Sequence, residues 1–446
     1  MAEITLPWGE EQLTVDLPEQ WDVRQIAEPD LRPASGDWPV RLARAISQPD
    51  TGLPLTKLLQ ARRNGRVCIL VEDITRHSPL PEILEPVLRE ISHAGFPPER
   101  VEIFFCTAMR PAMTAEQAGE KLGAIAGNWP WRSNPWQDPS RYVRIGTVGG
   151  APVAIDRDVA AADLRIVVSS VSPHLQAGFG GGFKMMFPGC ASLETIRTLH
   201  RQGLGRSARQ LVGLGASRNP MRAFIDAAGG LVDRFAGKTF AVQYILDTEN
   251  LPTFLAAGNP ADTQEMLTKQ CAVSCGVVVP EQADIVIADA SPRDYDLWQS
   301  FKSIAHAQWA ARPGGVILCA TRCEAGMDDM SPPNWPLSPA WTRRVVRWLG
   351  AESVSSLVTR LVPSLAGDAA LFVRMGLQAI HRNPVLFVSP PLAEQGPFPA
   401  VEIHGEFASA IRSTRRILGK GTQRVVVFPQ GGVTYPIPRS STSLGL

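Results

Sequence analysis

Short apolar runs rich in valine, isoleucine and leucine alternate along this chain with longer amphipathic stretches. Runs this short and apolar are typical of strands buried on both faces of a sheet. Residues 81–95 and 299–315 have the apolar spacing of helices, and the second stretch ends in a Pro-Gly-Gly helix stop. This alternation predicts an α/β protein with mostly parallel sheets flanked by helices. The predicted strands are residues 66–73, 101–108, 163–171, 283–290, 314–320 and 383–389.

With 446 residues, the chain is long enough for two or three domains. Residues 258–282 lack a strong pattern and precede a new series of strands, so we expect a domain boundary there. The first sixteen residues alternate like a small hairpin around Gly9. We therefore predict an N-terminal catalytic domain, a C-terminal α/β domain and a poorly ordered tail, at residues 1–265, 276–430 and 431–446.

Charge and composition exclude several classes of protein. The chain has 44 Lys and Arg against 43 Asp and Glu, so it has no overall basic footprint for nucleic acid or an anionic membrane. No apolar run approaches the roughly 20 residues that span a bilayer, and acids occupy the N-terminus where a signal peptide would be positive. An odd number of cysteines, seven, favours reduced thiols. We predict a cytoplasmic protein without nucleic-acid or membrane partners.

The segment VEDITRHSP puts polar side chains directly after a predicted strand. In α/β proteins, ligands tend to bind beyond the carboxyl ends of strands. Arg76 could bind a carboxylate or phosphate through two parallel hydrogen bonds. Asp73 could instead cap a turn, and Arg76 could form a surface ion pair. The motif alone leaves both interpretations open.

The segment SPHLQAGFGGGFKMM also follows a predicted strand and carries His174 and Lys184. Its spacing matches neither the P-loop nor the dinucleotide fingerprint. Burial of Lys184 among apolar residues would disfavour its ammonium form and make the amine nucleophilic, although a flexible loop with an extended lysine is equally compatible. Glycines between the two residues would let the backbone approach a ligand closely: Gly178, Gly180, Gly181 and Gly182.

A helix is predicted to begin near Ser192, with His200 near its end. A single helical histidine is more often a packing or surface residue than a metal ligand. A metal at His200 would need other ligands, which a cofactor could supply.

Together, DITR, SPHLQAGFGGGFKMMFPG and the histidine sixteen positions after the lysine resemble the nickel-dependent lactate racemase family of 2-hydroxyacid racemases and epimerases. The resemblance covers the chain to about residue 415. It implies a nickel-pincer nucleotide, pyridinium-3-thioamide-5-thiocarboxylic acid mononucleotide, bound covalently to Lys184 with His200 as the nickel ligand. It also implies an active site in the cleft between two domains, cofactor-maturation proteins as partners, and cofactor contacts from Asp73, Gly178, Gly181 and Gly182.

The resemblance assigns further roles and a reaction. His174 resembles a catalytic histidine of the family, and Arg76 resembles its clamp for the substrate carboxylate. DLWQSFKS is similar to a family element that contributes Gln299 and Lys302, with Trp298 replacing the usual tyrosine. A base would take the hydroxyl proton of a small hydroxyacid while the α-hydrogen leaves as hydride. Return of the hydride to the other face of a planar 2-keto acid would invert the stereochemistry.

The family typically has a second catalytic histidine after the second strand, where this chain reads CTAMRPAMTAEQ. Met109 or Arg110 occupies its place, and neither can act as a base near neutral pH. His77 could stand in for it, as could Lys302, or the substrate could need only one base. The chain could also be a redox enzyme or a cofactor-binding protein with one catalytic histidine. If Arg110 enters the pocket, it could bind a second carboxylate or a polyhydroxy chain and so favour a malate-like or larger substrate.

The glycine loop departs from the family as well. Family members often have serine at the position of Gly180 and a small or polar residue at that of Phe183. An aromatic ring beside Lys184 indicates a cofactor-binding site of altered shape.

Overall fold

The structure is a computed structural model that describes residues 2–204, 212–215, 218–327, 337–362, 365, 369–396 and 398–438. The side chains of residues 203, 204, 298, 369, 371, 372 and 438 lie outside this description. The chain divides into two units, and each is described by itself. Leu31–Ser274 form one, here called the middle unit, and Met1–Asp30 with Cys275–Leu446 form the other, called the terminal unit.

The strands of the described residues are short, as the apolar runs predict. They are, in chain order, β1 Ala2–Trp8, β2 Glu11–Leu17, β3 Trp21–Ile26, β4 Val67–Val71, β5 Val101–Phe105, β6 Trp131–Ser133, β7 Tyr142–Val148, β8 Ala151–Asp156, β9 Leu164–Ser170, β10 Pro173–His174, β11 Gly178–Phe179, β12 Lys238–Leu246, β13 Pro252–Gly258, β14 Gly276–Val279, β15 Ala283–Asp289, β16 Ala311–Ala320, β17 Val385–Val388, β18 Glu402–His404, β19 Gln423–Phe428 and β20 Tyr435–Pro438.

Helices connect most of these strands. Within the described part of the chain, no helix combines the length and the apolar character needed to cross a membrane. Short 3-10 turns occupy Pro98–Arg100, Pro139–Arg141 and Gly182–Met185. The α-helices are α1 Trp38–Ser47, α2 Leu55–Gln60, α3 Leu80–His93, α4 Ala115–Leu122, α5 Ile125–Asn128, α6 Arg157–Ala161, α7 Leu193–Leu204, α8 Pro220–Phe235, α9 Pro260–Cys275, α10 Leu297–Ala307, α11 Pro339–Leu349, α12 Ala351–Leu361, α13 Ala369–Arg382, α14 Pro390–Glu394 and α15 Phe407–Leu418.

The middle unit is built on a six-stranded sheet of order β13-β12-β9-β4-β5-β6. Its pairs are parallel except for β12 with β13, so the predicted α/β class with mostly parallel sheets is confirmed. Side chains of β4 alternate between two cores on opposite faces of this sheet. Ile69 and Val71 pack into one core, and Cys68 and Leu70 pack into the other. A strand covered on both faces needs apolar residues at every position, which explains the unbroken apolar run.

The terminal unit has its own parallel six-stranded sheet, of order β18-β17-β16-β15-β19-β3. Here β3 pairs with β19, and the predicted hairpin of β1 and β2 belongs to the same unit. The predicted first domain, residues 1–265, was therefore wrong at its start. The apolar side chains of the N-terminal strands explain this, because Ile4, Leu6 and Trp21 are buried in a core shared with β15 and β16.

The predicted disordered tail, residues 431–446, is also partly wrong. Tyr435–Pro438 form β20, which pairs in parallel with Gly276–Val279. Tyr435 is buried, so these residues belong to the folded terminal unit. The last eight positions of the chain lie outside the described residues.

Two helix predictions need correction. The helix predicted over 299–315 ends at Ala307, and Ala311 already pairs with Ala283 as the first residue of β16. Strand pairing thus overrides the helical spacing in the last part of that stretch. The patternless region 258–282 contains a helix, Pro260–Cys275, whose buried face includes the small residues Cys271 and Cys275. Small buried residues weaken the apolar contrast that reveals a helix in a sequence.

Burial of Trp21 generates a stability prediction for the terminal unit. Trp21 is 3% exposed, whereas Trp348 of the same unit is 83% exposed. Trp21→Ala should lower the free energy of unfolding by about 3 to 5 kcal/mol because a large buried ring leaves a cavity. Trp348→Ala, the matched control, should change it by less than about 0.5 kcal/mol. Denaturant unfolding with hydrogen exchange at β19 measures both, and equal effects of the two variants would contradict the assignment of Trp21 to the core.

Candidate active site at the carboxyl ends of three strands

The loops after β9, β4 and β5 form the candidate site, since these three strands are neighbours in one parallel sheet. Their carboxyl ends therefore lie at the same edge. Two contacts join the loops to each other. Arg110 Nε lies 3.8 Å from Asp73 Oδ2, and the Ala108 N–H donates to the Gly189 carbonyl at 3.1 Å. The two segments that the sequence singled out separately are thus brought together with the loop after β5.

The loop after β4 is a tight turn around Asp73. The Asp73 carboxylate accepts hydrogen bonds from both the backbone N–H, at 3.0 Å, and the hydroxyl of Thr75. Arg76 Nη1 donates to the Thr75 carbonyl at 3.1 Å. Asp73 therefore caps the turn, as one of the two sequence interpretations expected, and it also faces Arg110. Arg76 is partly buried and His77 is exposed.

A buried polar network that sequence reasoning missed supports this turn. Lys121 donates from Nζ to Glu72 Oε1 at 2.9 Å and to the Arg76 carbonyl at 2.5 Å. Ser78 donates to the same Glu72 oxygen, and Tyr244 donates to Ser78 Oγ at 3.0 Å. Burial, followed by the negative charge of Glu72, raises the pKa of Tyr244 well above its usual value, so Tyr244 is a neutral donor. Lys121 shares the buried face of α4 with apolar neighbours, and a lysine at apolar spacing was the signal in the sequence.

The loop after β5 turns sharply and points Met109 and Arg110 in different directions. Ala108 has a φ of +54°, and its carbonyl accepts from Asn134 Nδ2 at 2.8 Å. Met109 packs against an apolar core of the middle unit, whereas Arg110 faces Asp73. Trp136, from the tryptophan-rich loop, donates from its indole N–H to the Arg110 carbonyl at 3.1 Å. Arg110 is therefore the polar side chain presented where the family resemblance places a histidine.

His174 lies in a two-residue hairpin strand opposite Gly178. Its Nδ1 atom accepts backbone N–H groups of Gln176, at 3.3 Å, and Ala177, at 3.1 Å. With Nδ1 accepting these bonds, the hydrogen of a neutral ring resides on Nε2. His174 is therefore oriented by its own loop to act through Nε2.

The glycine loop lies over a floor of buried polar side chains. Gly181 and Gly182 have φ values of +85° and +59°, which disfavour any side chain. A Cβ atom at either position would also lie within 2.9 Å of Gln264 Oε1. Gln264 Nε2 donates to the Gly180 carbonyl at 2.7 Å, and Ser169 Oγ accepts the Gly182 N–H at 3.2 Å. The loop therefore has a fixed conformation, in which Gly181 and Gly182 pack closely against protein side chains.

Lys184 and His200 lie on consecutive elements after this loop. Lys184 is in the 3-10 turn Gly182–Met185, and His200 is in α7. Both side chains are partly buried, so neither is sealed in a core. Phe183, by contrast, is buried in the core beside Lys184. An amine and an imidazole are the two groups that the resemblance requires for anchoring a cofactor and its metal.

Two thiols lie beneath the site. Cys106 Sγ and Cys190 Sγ are 3.5 Å apart. Burial raises the pKa of both thiols, so neither is a thiolate at neutral pH. Without a charge, the two thiols pack as small apolar side chains.

The remaining predicted residues belong to the terminal unit. Gln299 and Lys302 lie on α10, where Lys302 Nζ donates to Gln299 Oε1. The side chain of Trp298 lies outside the described residues. His306, on the same helix, has its pKa lowered to about 3 by burial, so it is neutral and enclosed. Among the described residues, no cluster of three or more His, Cys, Asp or Glu residues could hold a metal ion alone.

Comparison with known proteins gives one consistent result. Residues 8–211 match the family model described as the lactate racemase N-terminal domain. The chain is 26% identical to a lactate racemase of Thermoanaerobacterium thermosaccharolyticum over 343 residues, which are 73% of this chain and 76% of that protein. It is also 26% identical to a lactate racemase of Lactiplantibacillus plantarum over 276 residues, which are 60% of this chain and 62% of that protein.

Solved structures agree on the fold. The lactate racemase apoprotein from T. thermosaccharolyticum superimposes with a TM-score of 0.79 at 20% identity, covering 98% of this chain and 100% of that chain. A crystal structure of a Thermotoga maritima protein superimposes with a TM-score of 0.62 at 14% identity, covering 90% and 97%. The fold over nearly the whole chain is therefore that of the lactate racemase apoprotein.

The buried Lys121–Glu72 pair generates a second stability prediction. Lys121→Met should lower the free energy of unfolding by about 3 to 5 kcal/mol, because it leaves the Glu72 carboxylate buried without its counter-charge. Adding Glu72→Gln should recover most of that loss. Lys269→Met removes an exposed ion pair with Glu265 and should cost less than about 1 kcal/mol. Urea unfolding of the wild type, these three variants and Glu72→Gln alone tests this, and additive effects of the two buried substitutions would contradict the coupling.

Proposed function

We propose that this member of the lactate racemase family is a racemase or epimerase of a 2-hydroxyacid. The observation that carries the proposal is the meeting of three loops at one edge of the sheet of the middle unit. Those loops present a guanidinium for a carboxylate, an oriented imidazole, and a glycine loop that leads to a partly buried amine. Lactate is the first substrate to test, because both relatives are named as lactate racemases.

We further propose a nickel-pincer nucleotide as the cofactor, with Lys184 as its covalent anchor and His200 as the nickel ligand. The residues fit such a group. Lys184 presents a partly buried amine, and His200 presents a partly buried imidazole, which is a common ligand for nickel. Gly178 and Asp73 would border it. When bound, such a cofactor supplies a hydride acceptor that can return hydride to either face of a planar keto acid.

The protein's own side chains would bind and orient the substrate. Arg76 would hold the carboxylate with parallel hydrogen bonds, and Thr75 and Lys121 keep its loop in place. His174 would donate a hydrogen bond from Nε2 to the substrate's α-oxygen, because its Nδ1 atom is committed to two backbone N–H groups. Acceptance of the hydroxyl proton then requires a second group. Lys302 and His77 stay the predicted candidates for that step.

Arg110 would set the preferred substrate. Met109 is withdrawn into the core, and Arg110 is held near the clamp loop by Asp73. A guanidinium cannot accept a proton near neutral pH, but it binds a carboxylate well. We therefore propose that the substrate carries a second carboxylate, as malate does, and that Gln299 and Trp298 contribute further substrate contacts.

A second candidate function rests on the same substitution. Arg110 removes one of the two acid–base groups that a symmetric racemase uses. A redox enzyme that uses the same cofactor with one catalytic histidine, or a protein that only binds the cofactor, would need no replacement for it. Stereochemical inversion separates the first candidate from these two.

Expression together with the cofactor-maturation proteins provides the decisive experiment. Peptide mass spectrometry should find an adduct on Lys184, metal analysis should find one nickel per chain, and chiral chromatography should detect inversion of lactate or malate. Deuterium at the α-carbon should be retained, because the hydride returns to the molecule it left. Adduct and nickel without inversion of any hydroxyacid would favour the second candidate, and absence of the adduct would contradict the proposed cofactor.

Two histidine substitutions separate the predicted roles. His174→Ala should keep the adduct and nickel but slow turnover by about 10²- to 10⁴-fold. His200→Ala should keep the adduct and lose nickel. His93, exposed on α3, provides the matched control, and His93→Ala should change neither. Normal turnover by His174→Ala would contradict the catalytic role of this residue.

Arg110→Ala tests the substrate proposal. The variant should lower kcat/KM for malate by about 10- to 100-fold, the effect of one charge-assisted hydrogen bond, and leave lactate within about threefold. Arg76→Ala, as the comparison, should impair both substrates. If Arg110→Ala lowers kcat/KM for lactate and malate equally, Arg110 does not bind a second carboxylate.

A further inference from the structure

We propose that helix α8 sets the position of the Lys184 amine, with Arg222 and Gly229 as positioning residues. The inference rests on the proposed role of Lys184. It concerns residues that the family resemblance did not single out. Arg222 and Gly229 lie seven residues apart, about two helical turns, and so share one face of α8. Both are on its buried side.

Arg222 binds the backbone of the glycine loop directly. The side chain is 3% exposed, and its Nη1 atom donates to the Gly181 carbonyl at 3.0 Å. Asp226, one turn further along α8, accepts from Nε at 3.1 Å and lies 2.8 Å from Nη2. The Nε hydrogen bond and the close charge contact at Nη2 together hold the guanidinium, so that Nη1 is aimed at Gly181. A lysine could not form this set of bonds.

Gly229 provides the second contact, through its missing side chain. An ideal Cβ atom at this position would lie 2.2 Å from Phe183 Cγ and within 2.5 Å of both Cδ atoms. The Phe183 ring therefore packs directly on the helix backbone. Phe183 immediately precedes Lys184, and its carbonyl accepts the N–H groups of Met186 and Phe187, at 3.0 and 2.9 Å. Displacement of the ring would therefore move the turn that carries the amine.

The start of α8 holds the other arm of the same loop. Asn219 accepts the Arg222 N–H at 3.0 Å as the helix cap, and its Nδ2 atom donates to the Gln176 carbonyl at 2.9 Å. The backbone N–H of Gln176 in turn donates to His174 Nδ1. One helix thus contacts the loop near His174, at Gly181 and at Phe183. The aromatic residue beside Lys184, which departs from the family pattern, is the side chain that the glycine in α8 accommodates.

Gly229→Ala and Gly230→Ala form a matched pair for the test. Both exchange a helix glycine for alanine, but a Cβ at position 230 would meet only the flexible end of Arg234, at 3.4 Å. The first readout uses the protein without cofactor. A limiting N-hydroxysuccinimide ester acylates the lysines, and peptide mass spectrometry gives the labelling rate of Lys184 relative to the exposed Lys238. Gly229→Ala should change this ratio at least about threefold because burial governs amine reactivity, and Gly230→Ala should leave it unchanged.

The second readout is the yield of the Lys184 adduct after expression with the maturation proteins. Gly229→Ala should lower it about tenfold or more, since a small misplacement of a reacting group is costly, and Gly230→Ala should match the wild type. Arg222→Lys should also lower the yield of the Lys184 adduct. This variant replaces Gly229→Ala in the comparison if Gly229→Ala does not fold. Addition of Phe183→Leu to Gly229→Ala should restore part of the yield, because the smaller side chain relieves the clash.

The outcomes separate this inference from the proposed function. A wild-type protein without any adduct contradicts the proposed cofactor, while the labelling comparison still decides the role of α8. Wild-type labelling in both Gly229→Ala and Arg222→Lys would overturn the inference. An equal loss in Gly229→Ala and Gly230→Ala would overturn it as well, because it would indicate a general effect on the helix.

Discussion

Parallel pairing of β9, β4 and β5 is the constraint on which the candidate site depends. Because the three strands run in the same direction, the loops that follow them leave the sheet at one edge. The alternating apolar faces of these strands fix their register, and a slip by one residue would turn core side chains of β4 toward the wrong helices. The polar loops are therefore only as well placed as the apolar strands beneath them. The candidate site therefore depends on residues such as Leu70, which is buried in a core of the middle unit.

The sequence predicted the parts of the fold that local patterns determine. The apolar runs located three of the six strands of each large sheet, and the segments after β4 and β9 marked two of the three loops. Pairing between distant parts of the chain was beyond such reasoning. Nothing in the first thirty residues indicates that β3 lies beside β19, and the pairing of β16 shortened a helix that its own residues favour. Partners almost four hundred residues apart leave no local periodicity.

The side chains of the candidate site also divide into those that the sequence singled out and those that it did not. Arg76, His174 and Lys184 stood out because their chemistry is unusual in glycine-rich or strand-end segments. Lys121 and Arg222 did not, since a charged residue on a helix usually faces water. Their role appears only when burial and hydrogen bonds are known. In each case a buried cation binds a backbone carbonyl of a loop and has a carboxylate as its partner, Glu72 for the first and Asp226 for the second.

The order of the chain in the terminal unit has a consequence for biosynthesis. Strand β3 leaves the ribosome early, but its partner β19 follows nearly four hundred residues later. At about 5 to 20 residues per second, that delay is on the order of 20 to 80 seconds. All strands of the sheet in the middle unit are synthesised within this interval. Trp21, which the folded terminal unit buries, therefore waits for its partner strand while the strands of the middle unit are synthesised.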